Sequence, residues 1–185
     1  MRIDLGAKPY LYPMPVLIIG TYDENGIPDA MNAAWGSICD FNKVILTLSY
    51  EHKTVQNILK RGAFTVSMAD AENVVACDYV GIVSANDEPR KLEKSGFHEV
   101  KSKFVDAPML LELPLTLECG LETYDTESEC LVGKIINVCA DEKIMTDGKI
   151  DLSKFKPIAY DPANHKYLTL GEAVGNAFSD GKRLK

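Results

Sequence analysis

Leu46-Thr47-Leu48-Ser49-Tyr50-Glu51-His52-Lys53-Thr54-Val55-Gln56-Asn57-Ile58-Leu59 begins as a strand and ends as a helix. Residues from Val44 to Leu48 are apolar or β-branched, the composition of a buried strand. Val55, Ile58 and Leu59 stand at i, i+3 and i+4 and form the inner face of a short helix. Gly62 follows at a C′ position. Ser49, His52, Lys53 and Thr54 lie at the junction, and all can donate hydrogen bonds. A helix N-terminus has amide groups without partners and carries the positive end of the helix dipole, so it attracts anions. A phosphate monoester fits that chemistry. The same residues also read as an ordinary capped helix, with Thr54 as N-cap, Lys53 solvated and His52 on the surface.

Upstream, Lys8 to Pro15 is an extended entry stiffened by proline. Val16 to Tyr22 is β-rich and apolar, and Asp23-Glu24-Asn25-Gly26 is a hairpin turn with the Asn-Gly signal. The return strand is expected over Ile27 to Ser37, and it holds the lone tryptophan, Trp35. Downstream, Phe64 to Met68 is a further strand. Asp70 to Val80 reads as a helix capped by Asp70, and Glu88 to Lys94 as a short one. Leu115 to Tyr124 alternates, with Leu117, Cys119 and Leu121 on one face and Thr116, Glu118 and Glu122 on the other. Cys130 to Ala140 is apolar on both faces and is expected to be buried twice. Ile158 to Tyr160 and Tyr167 to Leu170 are short strand candidates. Strands joined by hairpins dominate, with no long helices alternating between them. The expected fold is therefore mainly β, an antiparallel barrel with short helices, as a single domain over 1–185.

Composition narrows the function classes. Apolar residues make up 46% of the chain, enough for a sizeable core. The net charge of −7 argues against nucleic-acid binding, which needs a basic face. Lys182, Arg183 and Lys185 are the only basic cluster and read as a solvated tail. The N-terminal residues lack an apolar h-region and no apolar run is long enough to cross a bilayer, so a cytoplasmic protein without membrane association is expected. Cys39, Cys77, Cys119, Cys130 and Cys139 make no C-x-x-C pair, and most are expected to be reduced core residues.

Common catalytic constellations are missing. His52, His98 and His165 have no ligand spacing, and H-E-x-x-H, G-x-G-x-x-G, Walker and G-x-S-x-G motifs do not occur. A cofactor that brings its own reactivity fits this absence better than hydrolysis does.

The order of several segments resembles one family. Tyr12-Pro13-Met14-Pro15-Val16-Leu17-Ile18-Ile19-Gly20-Thr21 is followed by Asn25-Gly26, Asn32-Ala33-Ala34-Trp35, Leu48-Ser49 and Lys53-Thr54. Ser84 to Lys91 ahead of Gly96-Phe97, Leu117-Glu118-Cys119, Val132-Gly133-Lys134-Ile135 and Tyr167 to Gly171 continue the likeness. Together they resemble the flavin reductase-like and flavoredoxin family of FMN-binding split β-barrels. The resemblance implies a homodimer with FMN near its interface. It implies that Asn32, Ala33, Ala34 and Trp35 run along the flavin ring. Ser49, His52, Lys53 and Thr54 would hold its phosphate, Leu48 is a further cofactor-binding position, and Lys91 matches a family lysine near the flavin, although alone it reads as a solvated helix lysine. An FMN-dependent oxidoreductase is implied, taking electrons from NAD(P)H or a protein donor and passing them to free flavin or another acceptor. One departure stands out: many relatives carry a histidine where this chain has Ser128-Glu129-Cys130. That departure favours an alternative, a non-catalytic electron carrier that docks to a redox partner.

Overall fold

Seven strands form one antiparallel sheet in the computed structural model, which describes residues 1–184. Lys185, part of the basic tail, lies outside the described residues. In chain order the strands are β1 (Leu17–Tyr22), β2 (Pro28–Ala33), β3 (Gly36–Asp40), β4 (Lys43–Thr47), β5 (Ala63–Met68), β6 (Leu115–Asp125) and β7 (Cys130–Ala140). Their spatial order is β2-β1-β5-β6-β7-β4-β3. The two edge strands, β2 and β3, are consecutive in the chain. Only Ala34 and Trp35 join them, a link of at most about 11 Å. The sheet must therefore curl until its edges come together, yet β2 and β3 share no ladder. The result is an antiparallel barrel split along that seam.

The seam corrects one expectation: the return strand over Ile27 to Ser37 is two strands. A continuous strand would keep pairing with β1, whereas the chain leaves β1 after Ala33 and pairs with β4 from Gly36 onward.

Apolar side chains from alternate positions fill the concave side. Leu17, Ile19, Val44, Leu46, Phe64, Val66 and Leu131 form its centre. Gly133 is needed there, because a Cβ would overlap the Phe64 ring. Two helices, α2 (Val74–Ile82) and α3 (Lys91–Ser95), cover the outside around Ile18 and Ala30, where Cys77, Val80 and Leu92 pack. Helix α1 (Lys53–Arg61) buries Val55 and Ile58 against the inner cluster. It stops where expected, at Gly62, whose φ of 69° is costly for a residue with a side chain. Beside the barrel, Met14–Pro15, Ile158–Asp161 and Lys166–Thr169 make a three-stranded sheet.

Other expectations shift. Asn73, not Asp70, is the N-cap residue of α2; the Asp70 carboxylate instead accepts from Asn73 N at 2.9 Å and Nδ2 at 2.8 Å, closing the turn ahead of the helix. The short helix begins at Lys91 rather than Glu88. On β6 the alternation holds, but Thr116 and Glu118 are buried. Glu118 accepts hydrogen bonds from Ser102 Oγ and Asn137 Nδ2, which satisfy its carboxylate away from water. Strand β7 is not buried on both faces within one chain: Ile136 is 48% exposed and Val138 52%. All five cysteines are free thiols, but only Cys77 and Cys119 are core residues; Cys39 and Cys139 are exposed because their strands turn those positions outward. No described helix is long and apolar enough to cross a membrane.

Candidate functional site

The junction between β4 and α1 sits against the seam. Thr47 N donates to Trp35 O at 2.9 Å, which fixes the end of β4 beside the crossing residues. Leu48 points its side chain into the core and engages its backbone on both sides. Its N–H donates to Glu129 O and its carbonyl accepts from Tyr124 OH, each at 2.9 Å. Burial pushes the Tyr124 phenol up, with the Glu129 charge adding to it. Ser49 O then accepts from His52 N at 3.1 Å, turning the chain into the helix.

His52 occupies the N-cap position with extended backbone, so the reading of Thr54 as N-cap does not hold. No side chain caps α1 among the described residues. The amides of Val55 and Gln56 donate to His52 O, whereas those of Lys53 and Thr54 stay available, with no acidic residue in the first turn to compete. Lys53 opens the helix, half-buried, and lines a cavity of about 220 Å³ with Asp29, Asn57, Asn86 and Pro89. Asn86 Nδ2 reaches Glu51 O at 3.3 Å, so the 84–90 loop borders the same terminus. Asn57 donates to Thr21 Oγ1 at 3.2 Å, while its buried Oδ1 has no partner among the described residues.

Thr54 turns inward. Its hydroxyl donates to Asp29 Oδ2 at 2.5 Å. Lys91 is not a solvated helix lysine: its ammonium is buried 3.2 Å from Asp29 Oδ1. A lysine deep in apolar surroundings needs an opposite charge and further acceptors, and Asp29 on β2 provides the charge.

Asn32 to Trp35 runs away from this terminus toward a second, larger cavity. Asn32 Nδ2 donates to Cys77 O at 3.0 Å and fits closely against Gly81. Tyr167 and Asp78 complete that corner through a 2.7 Å hydrogen bond; burial and the Asp78 carboxylate raise the Tyr167 phenol strongly. Ala33 is buried, whereas Trp35 is 56% exposed. At Ala34 and Trp35 an apolar cavity of about 810 Å³ begins, walled by the proline-rich entry and by Leu17, Val66 and Leu117 of the barrel interior. From Asp29 to Ala34 the extended chain covers about 16 Å, the scale of a flat ring carrying a phosphorylated tail.

The structure thus brings Ser49, His52, Lys53 and Thr54 to one helix terminus with Lys91 beneath it, while Asn32 to Trp35 leads away from it to the larger cavity. Asp29, Asn57, Asn86, Tyr167 and Asp78 escaped the reading of the sequence. Asp29 alone left a signal there, as a charge inside an apolar strand.

Comparison with known proteins bears on the family and the fold. A family model described as the flavin reductase like domain matches residues 10–158. The structure of flavoredoxin from Desulfovibrio vulgaris (Miyazaki F) is 34% identical, with a TM-score of 0.93 over 98% of this chain and 100% of that chain. Flavoredoxin from Methanosarcina acetivorans is 30% identical, with a TM-score of 0.89 and full coverage of both chains. An uncharacterized protein of Bacillus subtilis is 26% identical over 86% of this chain and 85% of its own length.

Proposed function

The chain belongs to the flavin reductase-like family, and from that premise we propose that it is an FMN-binding oxidoreductase. It takes electrons from NAD(P)H or a protein donor and passes them through the flavin to free flavin or another acceptor. One observation carries the cofactor assignment: an uncapped helix terminus with Lys53 in its first turn stands at one end of a stretch of small residues, and an apolar cavity opens at the other. The donor set suits FMN. The amides of α1, Lys53 and the Ser49 hydroxyl take the phosphate, and His52 stands at its edge. Ala33 and Ala34 let main chain approach a flat ring, and Trp35 walls it. Bound FMN supplies the redox chemistry; these residues bind it, orient it and keep water from one face.

A second copy completes the site. Trp35, Ile38, Ile136 and Val138 are exposed on a single chain, and apolar surface of that extent is characteristic of an interface. The homodimer covers it and closes the large cavity.

The carrier reading rests on a specific feature. The Ser128-Glu129-Cys130 segment touches the site, since Glu129 O holds Leu48 N, and it offers no imidazole to move a proton. A net charge of −7 suits docking to a basic redox partner. Steady-state oxidation of NADH and NADPH by the purified dimer, with free FMN as acceptor, separates the two. Turnover establishes the reductase. Absence of turnover in a protein whose flavin is readily reduced by a low-potential donor establishes the carrier.

A further inference from the structure

Asp29, Thr54 and Lys91 form a closed cluster under the N-terminus of α1, at 4%, 1% and 3% exposure. Asp29 Oδ2 accepts from the Thr54 hydroxyl at 2.5 Å, and Asp29 Oδ1 faces the Lys91 ammonium at 3.2 Å. Lys91 Nζ also donates to Val83 O at 3.1 Å and to Val80 O at 3.4 Å, the carbonyls at the end of α2. An ammonium has three donors. Two of them go to these carbonyls, and the ammonium faces Asp29 Oδ1 as an ion pair without a hydrogen bond, that oxygen having no hydrogen-bond partner among the described residues. The carboxylate, by contrast, lies one hydrogen bond below the second residue of α1. Unpaired, it would oppose any anion approaching the amides above it.

We propose that Lys91 is a positioning residue that serves the flavin phosphate through Asp29, by cancelling the charge of the buried carboxylate beneath the phosphate site. The proposal rests on the assignment of the α1 terminus to phosphate. The pair has a second effect: it ties β2, α1 and the end of α2 to one point, which holds the terminus and the 84–90 loop at a fixed separation.

Riboflavin shares the ring and lacks the phosphate, so the ratio of riboflavin to FMN dissociation constants isolates the phosphate. The ratio is measured by flavin fluorescence on the full chain stripped of flavin, for the natural protein, Lys91→Met, Asp29→Asn and the double variant. Lys91→Met lowers the ratio by about tenfold or more, because a bare carboxylate then faces the phosphate. The double variant, a neutral pair of similar volume, returns it to within about threefold of the natural value. A double variant that stays as low as Lys91→Met would overturn the proposal, since it would mean that the lysine contacts phosphate itself. Equal loss of FMN and riboflavin in Lys91→Met would overturn it too, leaving only packing. Should Lys91→Met fail to fold, Asp29→Asn decides: a ratio kept or raised supports charge cancellation, and a lowered one contradicts it. A natural protein with a ratio near one removes the phosphate assignment and the proposal with it, a result distinct from any change among the variants.

Discussion

Among the described residues of the α1 terminus Lys53 is half-buried and Lys91 buried, so in the proposed site Lys53 is the residue on which phosphate affinity is expected to turn. Lys53→Ala is expected to weaken FMN binding by about 1.5–3 kcal/mol, the worth of a charge-assisted hydrogen bond, with riboflavin binding unchanged; isothermal titration with both ligands checks it. Asp161 allows a different test. The Tyr12 hydroxyl and Asn164 amide hold its carboxyl down at about 2. A carboxyl whose folded value is depressed contributes stability above its unfolded value of about 3.9 and loses it as pH falls toward about 2. Melting temperatures of the natural protein and Asp161→Asn should therefore differ at pH 5 and converge near pH 2. An unchanged gap would contradict that pairing. At this scale the sequence was legible by chemical type and blind to partners. The hydrogen-bonding residues at 49–54 could be read as a candidate anion site by their position before a helix. Lys91 did not announce its burial, because its partner Asp29 is 62 positions away and pairing across that separation leaves no local trace.

Helix α1 and the strand before it were readable because their signals are local: an apolar strand, i, i+3, i+4 spacing and a glycine stop at Gly62. The seam at Ala34–Trp35 was not, because passing from one sheet edge to the other is a property of the closed sheet and not of the residues that do it. Strand β7 misled for a related reason. Its exposed apolar residues, Ile136 and Val138, carry the pattern of burial, and nothing in a pattern says whether the covering surface belongs to the same chain. The close fit of β7 over β5 makes its own prediction. Gly133→Ala pushes a methyl group into the Phe64 ring and should destabilise the fold by about 1–3 kcal/mol, as overpacking does. Urea denaturation checks it, and Gly133→Ala paired with Phe64→Leu should recover most of the loss.

The molecule as a whole is a curled sheet with α2 and α3 on its outside, α1 packed against its inner cluster and an apolar surface left exposed, the candidate site lying where its seam meets α1. Family membership and split barrel were legible in the order of many weak segments, since each marks a turn or a contact that this topology requires. The second copy is testable on the exposed face. Val138→Glu with Ile38→Glu should convert a two-chain particle into single chains by analytical ultracentrifugation, and an unchanged mass would place the interface elsewhere. The cofactor itself is the central claim. An absorption spectrum of the freshly purified protein, before and after heat release, with the freed chromophore identified by mass, tests it most directly. A yellow protein that releases FMN is the predicted result. A colourless protein that also fails to take up added FMN would contradict the account and leave Ser49 to Thr54 as the start of an ordinary helix.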